Sequence, residues 1–190
     1  MTRALQPQPA ASDQELIGSI ANGNLQALGE LFDRYEADIR RFIGRLGVGI
    51  GDVDDLVQTT FLEVIRASAR FDATLSAKSW LFGLAVMLVR RHRRSLSRAA
   101  ERLLSRARWL RPDEPSTPAA EFDKDQDLRR FQQALQRLSA KKREVFSLVT
   151  LEGLSGEEVA RVLEIPVATV RTRLHHARQE LRAALAEEAT

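Results

Sequence analysis

Residues 155–178, SGEEVARVLEIPVATVRTRLHHAR, hold the most informative pattern in the chain. Ser155 and Glu158 stand three apart ahead of an apolar run, the spacing at which a hydroxyl and a carboxylate satisfy each other's orphan amides at a helix start. Val159, Ala160, Val162 and Leu163 give that helix one inward face. Glu164-Ile165-Pro166 then breaks it, because proline has no amide hydrogen and pushes the preceding residue out of helical geometry. From there Val167, Val170, Leu174, Ala177, Leu181 and Leu185 recur at spacings of 3, 4, 3, 4 and 4, which predicts an amphipathic helix of about twenty residues. Two helices joined by a turn of three or four residues form a helix-turn-helix, whose second helix enters a DNA major groove. The outward face of that second helix carries Thr169, Arg171, Thr172, Arg173, His176 and Arg178, and no acid appears on the helix before Glu180. These side chains donate to phosphates and base edges. An idle basic surface helix is the competing reading of this face taken alone.

Upstream of this motif, Phe131, Leu135 and Leu138 are periodic in a helix that begins near Leu128, and Val145, Phe146, Val149 and Leu151 belong to another that ends at Gly153. Further back, Pro112, Pro115 and Pro118 interrupt the chain, and Pro7 and Pro9 sit near its start, so two folded pieces are expected. The first opens on Ser12-Asp13-Gln14-Glu15, a second capping box, followed by Leu16, Ile17 and Ile20 on one face and a stop at Asn22-Gly23-Asn24. Next come Leu28, Leu31, Phe32, Tyr35, Ile39, Phe42, Ile43 and Leu46, in threes and fours up to Gly47. Asp52 is expected to open a third helix with Val53, Leu56, Val57, Phe61, Val64 and Ile65 inward. A fourth runs from Ser79 to Leu96, apolar at first and then densely basic. The fold class is all-α, with no alternating strand pattern and no repeat of solenoid length.

Composition narrows the function. Among 190 residues, 44% are hydrophobic and 29% charged, a globular balance with few aromatics, so aliphatic helices carry the cores. Cysteine is absent, which removes disulfides, thiolate nucleophiles and Cys-containing zinc sites and suits a reducing compartment. The longest apolar run, Trp80 to Val89, is about half of the ~20 residues of a membrane-spanning helix, and the cytoplasm is the expected location. Net charge is only +3, but residues 90–111 hold nine basic groups and one acid, while 112–127 hold six acids and one base. A cationic block beside an anionic one points to polyanion contact at the former. His92 lies among arginines and the side chains of His175 and His176 diverge by ~100°, so no metal site is expected. No phosphate loop, nucleophile elbow or carboxylate pair suggests catalysis or a cofactor.

Two stretches carry a resemblance beyond spacing. DVDDLVQTTFLEV (52–64), RFD (70–72) and SWLFGLA (79–85) resemble region 2 of bacterial RNA polymerase sigma factors; ALQRLSAKKREVF (134–146), LEGLSGEEVA (151–160) and IPVATVRTRLHHAR (165–178) resemble region 4. Possession of these two regions alone, joined by a short linker, is the arrangement of the extracytoplasmic-function (ECF) group. The resemblance implies two small helical domains joined by a flexible linker: a disordered N-terminus over 1–12, region 2 over 13–97, a linker over 98–127 that is basic and then acidic, and region 4 over 128–190.

It further implies a promoter-specificity factor without enzymatic activity or a small-molecule substrate. Region 2 binds the clamp helices of the polymerase largest subunit and melts the minus-10 element; region 4 reads the minus-35 element and sits on the polymerase flap. By resemblance, Asp52, Asp55, Gln58, Thr59 and Glu63 fall at core-binding positions. Lys78, Trp80, Met87, Arg90, Arg91 and Arg94 fall on the minus-10 side, although Trp80 at the head of an apolar helix also reads as core. The minus-35 set is the outward face already described, Thr169, Arg171, Thr172, Arg173, His176 and Arg178.

Three positions depart from the family's usual pattern: Thr59 where an acid is common, Gly83 where a cation or polar group is common, and Met87 where an asparagine is common. Methionine offers no donor to a base edge, so the usual minus-10 sequence does not transfer. Most members of the group are held inactive by an anti-sigma protein, which is therefore an expected partner, and one with a membrane span would hold the chain at the membrane. A stand-alone helix-turn-helix regulator is the alternative; it leaves the acidic third helix and SWLFGLA unexplained. Within the linker, Leu103, Leu104, Ala107 and Leu110 are spaced for a short basic amphipathic helix continuing from region 2. The acidic stretch beyond them is too polar to fold alone.

Overall fold

The computed structural model describes residues 11–106 and 126–187; the expectations for the N-terminus and for the acidic part of the linker lie outside the described residues. Every element among the described residues is helical. The first half comprises α1 (Asp13–Ala21), α2 (Leu25–Arg45), α3 (Ile50–Ala67), a 3-10 turn over Ser68–Arg70 and α4 (Ala77–Arg106). The second comprises α5 (Gln126–Arg137), α6 (Ala140–Phe146) running into a π turn over Ser147–Leu151, α7 (Gly156–Leu163) and α8 (Val167–Glu187).

Local chemistry sets the helix ends. Ser12 and Glu15 form the expected capping box on α1, and Ser155 and Glu158 form its counterpart on α7. Asn24 caps α2, its side-chain oxygen accepting from the amides of Gln26 and Ala27. The same helix stops where Gly47 takes φ +81°, a left-handed conformation that a side chain disfavours. Two boundaries differ from the sequence reading. Helix α3 starts at Ile50, with Gly49 at its cap and Asp52 already in the first turn. Helix α4 starts at Ala77, where the Ser76 hydroxyl accepts from the amide of Ser79 at 3.2 Å, and continues to Arg106, well into the stretch read as linker. No glycine or proline stands between Leu84 and Arg111 to end it sooner.

The inward stripes meet as their periodicity requires. Ile17, Leu31, Ile39, Phe42, Ile43, Val64, Leu81 and Phe82 are fully buried, and the rings of Phe42 and Phe82 meet edge to face with centroids 4.8 Å apart. Each such side chain contributes about 1.5–3 kcal/mol through removal from water. Two residues depart from their stripes. Ile65, expected inward, is 36% exposed; at 100° per residue it lies about 180° around the helix from Leu56, which is buried. Leu185, at the end of the α8 stripe, is exposed as well, and Ala184 takes the inward place one turn after Leu181.

The second half divides its apolar surface between two cores. Leu135, Leu138, Phe146, Ala177 and Leu181 form a small cluster of their own between α5, α6 and α8. Val145, Leu148, Leu154, Val159, Leu163 and Val170 instead join the core of the first half. The two halves are thus docked on each other, chiefly through α7 against α4.

Candidate nucleic-acid and polymerase interface

The helix-turn-helix is built as its sequence requires. Glu164 ends α7 in a left-handed conformation, φ 55° and ψ 48°, and the amide of Ile165 donates back to the carbonyl of Ala160 at 3.0 Å. This bond closes the turn and aims α8 away from α7. Val170, Ala177 and Leu181 are buried, so the opposite face is turned outward. Arg171, Thr172, His176 and Arg178 are exposed there; Thr169 and Arg173 are half-buried at its edges. The hydroxyl of Thr172 donates to the carbonyl of Ala168 at 3.0 Å, which leaves the hydroxyl oxygen able to accept from a partner. Arg171 lies 3.9 Å from Glu157, an exposed pair that water screens.

Helix α3 presents a different surface. Asp55, Gln58, Leu62 and Ile65 follow one another at spacings of 3, 4 and 3 and are all exposed, Leu62 by 55%. An acidic and amide face with apolar residues in its midst suits a protein partner with cationic and apolar groups. The other family-matched positions are engaged within the chain. The Thr59 hydroxyl donates to the carbonyl of Asp55 at 2.7 Å, Glu63 lies 3.5 Å from Arg66, and Asp52 turns toward α4, where its carboxylate is 3.3 Å from Nε2 of His92. Sequence reasoning misses Leu62 and Ile65 as contact residues; the available signal is that both fall off the phase of the buried stripe.

Helix α4 has two faces. Trp80, Leu84, Met87, Arg91 and Arg94, at spacings of 4, 3, 4 and 3, share one of them; Met87 is 45% exposed and both arginines are exposed. Trp80 is half-buried and packs on Phe71 with centroids 5.0 Å apart, which fits its reading as core. Lys78, Arg90 and Arg93 are instead engaged at the junction between the halves. Lys78 donates to the carbonyl of Glu152 at 2.6 Å. Arg90 grips the carboxylate of Glu144 through Nε and Nη2, the latter at 2.7 Å. Arg93 lies 4.0 Å from the same carboxylate and donates to the carbonyl of Leu46 in the first half.

Electrostatics around this junction follow from burial. Arg143 is buried and donates to the carbonyls of Leu46, Gln136 and Leu138 and to the side chain of Gln136. Burial, with Arg93 nearby, brings its pKa down to about 10, so it remains cationic at neutral pH. Burial likewise lowers Arg93, an effect that Glu144 opposes. Glu152 is raised by burial against the opposing pull of Arg45 and Lys78. Among the described residues no cluster of metal-ligating side chains occurs.

Known proteins share this arrangement. The sigma-70 region 2 family model matches residues 31–108, and the sigma-70 region 4 model matches residues 128–181. The chain is 34% identical over 181 residues to the probable RNA polymerase sigma-C factor of Mycobacterium bovis, covering 90% of this chain and 92% of that protein. It is 32% identical to the RNA polymerase sigma factor CnrH of Cupriavidus metallidurans, covering 93% and 96%. Among solved structures, CnrH in complex with the cytosolic domain of CnrY superposes with a TM-score of 0.66 at 28% identity, covering 93% of this chain and 99% of that one. The sigma factor RpoE of Bartonella quintana, in complex with the anti-sigma factor NepR, gives 0.65 at 25%, covering 83% and 96%.

The chain belongs to the ECF group of the sigma-70 family. It binds RNA polymerase core and directs promoter-specific initiation, region 2 acting at the minus-10 element and region 4 at the minus-35 element. The stand-alone regulator is not favoured, because the matches span both halves.

Proposed function

We propose that the residue roles divide by helix. Helix α8 reads the minus-35 element through Arg171, Thr172, Arg173, His176 and Arg178, with Thr169 at the edge of the contact. Helix α3 docks on the clamp helices of the largest polymerase subunit through Asp55 and Gln58, with Leu62 and Ile65 as the apolar part of the contact and Asp52, Thr59 and Glu63 framing it. Helix α4 supplies the minus-10 surface through Lys78, Trp80, Met87, Arg90, Arg91 and Arg94. The observation that carries this reading is the contrast between the exposed, acid-free cationic face of α8 and the exposed acidic and apolar face of α3.

The protein acts without chemistry of its own, through binding alone, and works where the polymerase is, in the cytoplasm. No helix among the described residues is long and apolar enough to cross a membrane. An anti-sigma protein is the expected inhibitor, in keeping with the solved RpoE, which is a complex with the anti-sigma factor NepR. Transcription with purified core polymerase and genomic fragments tests the reading. Addition of this protein is expected to produce transcripts from discrete start sites; binding to a short duplex without core and no new transcript would overturn it.

A further inference from the structure

The junction between the two halves is fitted by features that neither half needs alone. Gly83 lies inside α4, where alanine would favour the helix. A Cβ at that position would stand 2.8 Å from Cγ1 of Val162 in α7, too close for a stiff β-branched side chain to evade. The glycine serves the contact rather than the helix. At the other end of the junction, a Cβ on Gly47 would collide with the guanidinium of Arg143. Between these two notches run the Arg90–Glu144 pair, the Arg45–Glu152 pair at 2.8 Å and the bond from Lys78 to the Glu152 carbonyl. The hydroxyl of Ser76 completes the seam, donating to Glu158 at 2.7 Å.

We propose that the chain latches itself: in the free protein, region 4 docked on region 2 through Gly83–Val162 and Arg90–Glu144 holds Lys78 and Arg90 away from DNA, and the halves must separate before the minus-10 element is engaged. This rests on the assignment of Lys78 and Arg90 to the minus-10 surface. The exposed faces of α3 and α8 remain open in the latched form, so the latch gates promoter opening rather than the first encounter with polymerase or the minus-35 element. Because only the separated form is competent, its fractional population scales the apparent affinity for the opened promoter.

Cysteine is absent from the native chain, so an introduced pair can bond only with itself within one molecule. The Cβ built on Gly83 lies 3.6 Å from Cβ of Val162, inside the ~3.5–4.5 Å range of disulfides. The full chain carrying Gly83→Cys and Val162→Cys is expected to form an intramolecular bond under mild oxidation, to lose promoter-directed initiation with core polymerase, and to regain it on addition of dithiothreitol. Val162→Cys alone controls for the oxidant. In a second arm, Gly83→Leu is expected to enlarge the radius of gyration in small-angle scattering, with helical circular dichroism retained, and to lower the apparent Kd of the holoenzyme for a premelted promoter several-fold. Failure of the cysteine pair to bond, or a bonded protein that initiates as well as its reduced form, would overturn the latch. The residue assignment fails separately: Lys78→Ala and Arg90→Ala holoenzymes that hold a premelted promoter at full affinity would remove those roles and leave the crosslinking result standing.

Discussion

Helices α4 and α8 are both basic and both proposed to meet DNA, yet their cations are held in different ways. On α8, Arg171 and Arg178 project into solvent, and Arg171 has Glu157 only at long range. On α4, Arg91 and Arg94 are exposed, while Lys78 is taken up by the Glu152 carbonyl, Arg90 by the buried Glu144 carboxylate and Arg93 by the Leu46 carbonyl. Basic composition by itself therefore does not define a binding surface. A cation that already has a low-dielectric partner must give it up before it can bind phosphate, whereas a solvated one exchanges only water and counterions.

The greatest loss should come from the carboxylate at the centre of the junction. Glu144 has only 2% of its side chain exposed and faces Arg90 and, at 4.0 Å, Arg93. Glu144→Ala leaves those arginines uncompensated and should cost about 3–5 kcal/mol in urea denaturation. Removal of both members, Arg90→Ala with Glu144→Ala, should cost less than Glu144→Ala alone. A double variant as unstable as the sum of the singles would show that the pair is not coupled and would weaken the contrast between the two helices.

On α8 the expected changes are in DNA binding rather than stability. Arg171→Ala and Arg173→Ala should each weaken minus-35 binding, by about 1–3 kcal/mol at one base pair where the arginine reads a base edge. Where it holds a phosphate instead, affinity should fall evenly across sequences and the salt slope should drop by about one. Titration of duplexes substituted at single positions, at several salt concentrations, separates the two. Unchanged binding in both variants would remove the recognition-helix role.

Much of this architecture is legible in the chain, and the exceptions share a cause. The capping boxes at Ser12 and Ser155 and the stripes of α2 and α8 are local patterns, and the structure contains them because local geometry determines them. A stripe says which residues turn inward, but not which surface they meet. Val159, Leu163 and Val170 read as the core of the second half and pack with the first. Gly83 stands out in the sequence only as a departure from the family, since the side chain that requires it, Val162, belongs to a distant part of the chain. On α3, Leu62 and Ile65 fall outside the sequence-derived site because an apolar residue in a helix reads as core unless its phase says otherwise.

Helix α3 extends the comparison to an acidic face that is solvated in the same way as α8. Asp55→Arg combined with Gln58→Ala should weaken core binding by about tenfold, equivalent to ~1.4 kcal/mol. Both residues are exposed, so the melting temperature should stay near the parent's, in line with the ~0.5 kcal/mol usual for surface changes. Leu62→Ala should act in the same direction. Core affinity measured alongside thermal melting decides between a docking face and a structural one; unchanged affinity with lowered stability would favour the latter.

The least change belongs to the turn that orients α8. Glu164 is the one non-glycine residue with positive φ among the described residues, at 55°. A side chain in that region crowds the backbone, and glycine relieves the strain while adding conformational freedom to the unfolded chain. The two terms oppose each other, and asparagine, which tolerates the left-handed region while keeping a side chain, avoids most of the second. Glu164→Asn should therefore stabilise the protein by about 0.5–1 kcal/mol, and Glu164→Gly by no more than that. Neither should alter minus-35 binding, because Glu164 ends α7 and is not on the outward face of α8. Equal stability in all three proteins would mean that the turn holds no strain, and that the geometry of α8 is imposed by its packing on α6 and α7 instead.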